Sequence, residues 1–307
     1  MTFDADGIVA RRRLRRRLAF WRVVAIVVIG VLVLGGIAVA TGINPVGSRP
    51  HILRVAVSGI VVSDETILDG LDAAADDDLV SAVLVVIDTP GGTTTGGESI
   101  YRELRRIGDR GVPVVAVIKN VGASAGYMVA LGSDHIFALE TSITGSIGVL
   151  QETAEVSGLL ERLGVTAETF RSGPLKGQPS PFSPLNDQAR DATQALIDDI
   201  YDWFLALFAE RRGLSLEAAR ELADGRAFTG RQALALDLID AIGGEREALQ
   251  WLSETHGIPG DTPIIDLDRE DDPGTFLDVI TGLTKKTLLS ERLRLDGPIS
   301  VWHPAQN

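Results

Sequence analysis

A serine hydroxyl attacks a carbonyl only when a base takes its proton and fixed donors hold the oxyanion that forms. Ser124, in the stretch NVGASAGYMVAL, has a setting that could meet the second need. It comes after the apolar run VPVVAVI (residues 112–118) and directly before AGYMVAL. A strand-to-helix turn at this point exposes the hydroxyl and leaves the first N–H groups of the helix, beginning with Ala125, without intrahelical partners. The same position also suits a serine that merely caps a helix N-terminus.

A second candidate favours the chemical reading. The stretch IDTPGGTTTGGESIY follows a buried run that ends at Asp88. A Pro-Gly-Gly turn there leaves the Gly91 and Gly92 N–H groups bare of side-chain cover, so a substrate can come close. The stretch lacks the Gly-Lys-Ser/Thr ending that a phosphate loop needs. A second oxyanion donor is the reading that also accounts for Ser124.

The base must come from elsewhere. There are four histidines, His51, His135, His256 and His303; only His135 is near Ser124 in sequence, and it reads as a sheet or surface residue. The chain has 29 basic residues, of which Lys119, Lys176, Lys285 and Lys286 are the lysines. Arginine cannot deprotonate in a protein, whereas a desolvated lysine can. Lys285 and Lys286 form a pair on a predicted helix surface and Lys119 ends a strand. Lys176, in FRSGPLKGQPSPFSP, stands in a Gly/Pro-rich loop with little charge around it. With no cysteine in the chain, a thiolate nucleophile, a thiolate metal site and a disulfide framework are all excluded.

These residues need a scaffold. HILRVAVSGIVV (51–62), AVLVVID (82–88) and VPVVAVI read as strands, separated by the helical patterns DETILDGLDAAADD and GGESIYRELRRIGDRG. Repeated strand–helix units predict an α/β fold with a largely parallel sheet. HIFAL and SIGVL add two short strands, and TAEVSGLLERLG and TAETFRS a helix and another strand. From Asn186 the pattern turns helical: Ala192, Leu196, Ile200, Trp203 and Leu207 share one face, a core or subunit-interface stripe, until Gly213 ends it. SLEAARELADG and TGRQALALDLIDAIGGEREALQWLSETHG continue as short helices.

The N-terminus is of a different kind. Seven arginines between Arg11 and Arg22 precede 21 residues without a charge, Val23 to Ile43. At about 1.5 Å per residue such a helix crosses a roughly 30 Å hydrocarbon layer. The basic flank predicts a cytoplasmic N-terminus and an extracytoplasmic body. The alternative is a signal peptide cleaved near AVA (38–40), although the apolar run exceeds the usual length for one. The expected organisation is therefore a basic arm (1–22), a transmembrane helix (23–43), a linker (44–50), a catalytic domain (51–257) and a C-terminal extension of unassigned role (258–307). The formal net charge is −13 despite the arginine arm, so the body is strongly acidic and nucleic acid is not an expected partner.

Taken in order, DTPGG, GASAGYMVALGSDHIFA, TGSIGV, SGPLKGQPSP and ADGRAFTGRQALALDLID resemble the motifs of the SppA-type signal peptide peptidases in their short, single-catalytic-domain form. The likeness runs from about His51 to about Gly257. It implies a ClpP/crotonase-like superhelix of ββα repeats and a Ser/Lys dyad, with Ser124 as nucleophile, Lys176 as general base and Ser146 orienting the amine. The backbone N–H groups of Gly91, Gly92 and Ala125 would form the oxyanion hole. It further implies no metal or cofactor, apolar peptide substrates such as released signal peptides, and a ring-like homo-oligomer in which serine and lysine can come from neighbouring subunits. Two positions depart from the family pattern: Ala125 replaces the usual glycine, its methyl able to narrow the groove, and Thr89 replaces the usual serine. A crotonase-type acyl-CoA enzyme and a non-catalytic membrane scaffold are the competing readings.

Overall fold

The computed structural model describes residues 21, 22, 24–27, 29, 49–267 and 299–301. Of the expected membrane span, residues 24–27 and 29 are described and are helical; the rest of the span lies outside the described residues, as do Lys285, Lys286 and His303. Among the described residues no helix is long and apolar enough to cross a membrane. The chain divides into one unit up to Pro50 and a second from His51 onward, and the second contains all the described strands.

The elements of this second unit run β1 (His51–Val61), α1 (Glu65–Ala75), β2 (Val80–Thr93), α2 (Thr94–Asp109), β3 (Val114–Ala123), α3 (Ala125–Ala130), β4 (His135–Ala138) and β5 (Ile143–Gly145). Then come α4 (Ser157–Arg162), α5 (Asp187–Arg212), α6 (Leu216–Leu222), β6 (Ala227–Thr229), α7 (Gly230–Ala235), β7 (Ala241–Ile242), α8 (Glu245–His256), β8 (Ile264–Asp266) and β9 (Ile299–Val301). All these strands join one sheet, ordered β6-β5-β3-β2-β1-β8, with β4 and β7 continuing from the first half of β3. Pairings are parallel except β5 with β6 and β2 with β9. A mixed α/β architecture with a mainly parallel sheet fits the ClpP/crotonase-like expectation.

The apolar runs read as strands because both sheet faces are covered. Val83, Val85 and Ile87 of β2 enter the larger core beneath α1, α2, α3 and α5, while Ala82, Leu84 and Val86 enter a smaller one closed by Ala248 and Leu252 of α8. Asp64 caps α1 and Thr93 caps α2, each accepting from backbone N–H groups of the first turn. Ile100, Leu104 and Ile107 form the inner face of α2, each almost fully buried and each worth about 1.5–3 kcal/mol relative to exposure.

Several expectations are corrected. The segment 88–93 is not a turn: β2 runs on in extended form through Pro90, Gly91 and Gly92, because β1 continues beside it (Ile60 with Gly91, Val61 with Gly92). β3 reaches Ala123 rather than ending near Ile118. SIGVL is not a strand; the strand lies just before it at Ile143–Gly145, since Gly145 (φ 78°) and Ser146 (φ 49°) turn the backbone out of the extended region. TAETFRS forms no strand either, and its residues are half-buried to exposed, with no neighbouring strand to pair. α5 spans the predicted range, from the Asn186 cap to left-handed Gly213, but its apolar stripe is split. Leu207 is buried beside Phe204, Leu205 and Phe208, whereas Leu196 is 48% exposed. Beyond residue 257, β8 pairs with β1 and β9 with β2.

Candidate active site

Ser124 sits where β3 ends and α3 begins, and the backbone bends sharply at this residue, with φ 57° and ψ −117°. A non-glycine residue in that region costs about 1–3 kcal/mol and persists only when its surroundings hold it. The holding is visible. The Ser124 N–H donates to the Gly145 carbonyl at 2.8 Å, and the Ser124 carbonyl accepts from Met128 N–H at 2.9 Å. Gly145 is itself fixed: its positive φ suits glycine, and a Cβ there would meet the Phe228 ring at 2.7 Å. Thr144 Oγ1 donates to the Gly122 carbonyl at 2.8 Å, fastening β5 to the end of β3. Asp88 steadies the other side, accepting from Asn120 Nδ2 at 2.7 Å and from Val121 N–H at 3.2 Å.

The helix-cap reading of Ser124 fails on geometry, because its side chain makes no capping hydrogen bond. The residue is 1% exposed, yet it lines a cavity of about 610 Å³. Ser146 lines the same cavity, its N–H anchored on the Arg226 carbonyl at 2.9 Å. Much of the remaining wall comes from Ile147 to Leu150, from Ile197, Asp198 and Tyr201 on α5, and from the turn at Asp224. Sequence reading missed this wall, although Ile197 and Tyr201 stand four apart on a helix already recognised as amphipathic. Tyr201 donates its hydroxyl to the Ala223 carbonyl at 2.8 Å, and partial burial raises its pKa, the nearby Arg220 opposing. Asp224 is held below the ordinary carboxylate range, chiefly by its hydrogen bond from Arg226. The cavity wall thus mixes apolar side chains such as Ile147, Leu150 and Ile197 with polar ones such as Ser146, Asp198 and Asp224.

Other predicted residues lie elsewhere. Lys176 is exposed, in the turn at 174–177, and is not among the residues lining the cavity. The segment that carries it, roughly 151–183, packs little against the core: Leu159, Leu163, Phe170 and Phe182 are 58%, 67%, 91% and 51% exposed. His135 belongs to the sheet, stacked on Trp251 at 4.7 Å, and its burial lowers its pKa.

The expected donors also differ from one another. The Gly91 N–H is bound to Thr89 Oγ1 at 3.0 Å, so this donor is already engaged. Gly92 lies in the ladder opposite Val61, and no side chain fits there, since a Cβ would fall 1.9 Å from the Val61 carbonyl oxygen. Ala125 is the first residue of α3, where an N–H has no intrahelical acceptor. Its methyl does not narrow the cavity: it is fully buried against α2, where a Cβ on Gly97 would lie 3.2 Å from it. Thr89, the other departure, is wholly buried. Its hydroxyl bonds the Gly59 carbonyl, and its methyl lies where a Cβ on Gly126 would come within 2.6 Å. Each departure is thus matched by a glycine across the contact.

Comparison with known proteins agrees with the geometry. The model of peptidase family S49 matches residues 106–258. A Synechocystis protein named "Putative protease slr0021" is 38% identical over 237 residues, covering 76% of this chain and 84% of its own. The "Putative signal peptide peptidase SppA" of Enterococcus faecium is 34% identical over 67% of this chain and 64% of its own. "Protease 4" of Haemophilus influenzae is 31% identical over 72% of this chain, which spans only 36% of that longer protein.

Proposed function

The chain belongs to peptidase family S49 and is a serine peptidase; on that premise we propose a membrane-anchored endopeptidase that cleaves released signal peptides and other apolar, membrane-associated peptides through Ser124 and Lys176. The observation that carries this reading is the bend at Ser124: a serine at φ 57°, without a capping bond, opening onto a cavity walled in part by apolar side chains. An extended peptide with apolar side chains suits that lining. Chemistry proceeds in the usual two steps. The Lys176 amine takes the Ser124 Oγ proton as Oγ bonds to the scissile carbonyl carbon, and the same proton passes to the leaving amine as the C–N bond breaks. Water, deprotonated by the amine, then attacks the acyl carbonyl carbon; the C–Oγ bond breaks and the amine returns that proton to Ser124 Oγ. The Ala125 N–H is the donor best placed to hold the oxyanion in each step, and Ser146 would orient the amine.

Lys176 stands outside the cavity in a single chain, so the proposal assigns it to the cavity of a neighbouring copy. The exposure of Leu159, Leu163, Phe170 and Phe182 on the segment that bears it supports this, because an interface with a second copy would cover such side chains. The run from Val23 to Ile43 would anchor the protein, with the catalytic unit outside the cytoplasm and close to apolar substrates. A serine-directed fluorophosphonate tests the assignment. The expected result is one adduct, on Ser124, absent from Ser124→Ala, and a loss of peptide hydrolysis in Lys176→Ala of at least about 10³-fold, on the order of removing a catalytic base. An adduct on another serine, or wild-type hydrolysis by either variant, overturns it.

A further inference from the structure

α3 has six residues, all of them buried, and the bend at Ser124 stands at its N-terminal end. What holds its other end therefore bears on the nucleophile. A helix leaves its last carbonyls without intrahelical donors, and in a buried place each must find a partner elsewhere. α3 runs into a turn closed off from solvent, with Leu131 1% and Ser133 4% exposed. Ser133 Oγ, buried in this turn, has no hydrogen-bond partner among the described residues and so relieves none of these carbonyls.

The donors come from α5. Arg211 donates from Nε to the Leu131 carbonyl at 2.8 Å and from Nη2 to the Ser133 carbonyl at 3.0 Å. One planar guanidinium thus fixes two carbonyls of the same turn, in orientation as well as position. Its positive charge also suits a helix C-terminus. The adjacent Arg212 is used differently, in an ion pair with Asp240 at 2.9 Å. One turn earlier on α5, the Phe208 ring meets the Tyr127 ring of α3 edge-on, 6.0 Å between centroids. Arg105 of α2 adds a longer bond, 3.3 Å to the Gly132 carbonyl. Earlier still along α5, Ile197 and Tyr201 wall the cavity. A single helix therefore borders the cavity and grips the end of α3 remote from Ser124.

We propose that Arg211 is a positioning residue for Ser124: by holding the Leu131 and Ser133 carbonyls it fixes α3 along its axis and keeps the serine hydroxyl where its reaction needs it. The proposal rests on Ser124 being the reacting residue. It adds a residue that acts on the nucleophile only through the helix between them. The strained backbone at Ser124 persists only while its surroundings hold it. On the strand side the hold is the Ser124 N–H bond to Gly145, and on the helix side it is Arg211. Without the guanidinium two buried carbonyls lose their donors, and the turn must move to regain partners. α3 is only about 9 Å long and is packed on every side, so such a movement passes to Ser124 instead of being absorbed. A misplacement of about 1 Å at a reacting group can cost about 10²-fold in rate.

The test uses the full chain with Arg211→Ala, at a temperature where circular dichroism shows the variant folded. The proposal expects kcat for an apolar peptide, and the limiting rate of fluorophosphonate reaction at Ser124, to fall together by about 10²-fold at unchanged KM. Amide exchange at Met128, whose N–H donates to the Ser124 carbonyl, should become faster. Methylguanidine, which refills the vacated place, should restore part of both rates and slow the exchange, and should do neither in the wild type. Arg211→Lys keeps the charge and loses the planar fork, so it should fall between the wild type and Arg211→Ala, and it replaces Arg211→Ala if that variant does not fold. Arg106→Gln, which removes a surface ion pair on α2, should leave every readout unchanged. A folded variant with wild-type kcat, or one with lowered kcat but unchanged Met128 exchange and no response to methylguanidine, overturns the proposal. Absence of labelling at Ser124 in the wild type would count against the peptidase assignment, while Met128 exchange with and without methylguanidine still decides whether Arg211 holds α3.

Discussion

Ser124 keeps a strained conformation because its neighbours leave it no other, and the tightness of that packing is itself testable. Gly126, two residues on, faces the Thr89 methyl group, and Thr89 cannot swing aside while its hydroxyl bonds Gly59 and Gly91. Gly126→Ala should therefore destabilise the protein by about 1–2 kcal/mol, overpacking outweighing the gain in helix propensity. Turnover should fall by about 10²-fold as Ser124 shifts. Thr89→Ser removes the obstructing methyl and retains the hydroxyl. In Thr89→Ser/Gly126→Ala, urea midpoints should show a favourable coupling of about 1 kcal/mol and most of the activity should return. Additive effects of the two changes would mean that this contact does not hold the bend. The Thr89 and Ala125 departures were legible in the sequence as departures; their partners, Gly126 and Gly97, were not, because a contact across elements leaves no mark in local spacing.

Among elements, the buried strands and capped helices were legible because burial on both sheet faces writes continuous apolar runs, and caps write Asp64, Asn186 and Ser215 ahead of helices. What escaped was pairing. Nothing in Pro90-Gly91-Gly92 tells a turn from a strand; the continuation of β1 alongside decides it. The half-exposed stripe of α5 likewise had the pattern of a core helix, since periodicity records which face is apolar but not what covers it. α8 shows how a local cap ties such an element to pH. Glu247 accepts from the Gly244 N–H at 2.8 Å, and this bond, helped by Arg246, lowers its pKa from the ordinary 4.5 to about 2. A carboxyl depressed in the folded state stabilises it above the unfolded pKa, and that stability is lost as pH falls from about 4.5 to about 2. Urea titrations of Glu247→Gln over this range should show a shallower acid loss of stability than the wild type. An identical slope would remove Glu247 from the acid response.

One chain holds Ser124 and Ser146 in one cavity and carries Lys176 on an exposed segment outside it. The sequence could name all three, since their residue types and flanking glycines are local, but it could not say which of them share a chain's cavity. That depends on where an exposed segment finds a partner. If catalysis joins the serine of one copy to the lysine of the next, two inactive variants should repair each other. Ser124→Ala and Lys176→Ala, co-expressed and purified as mixed assemblies, each contribute the group the other lacks. Random mixing at equal amounts should make about a quarter of the sites complete and recover that share of wild-type peptide hydrolysis. A mixture as inactive as either variant alone would contradict a dyad formed between subunits.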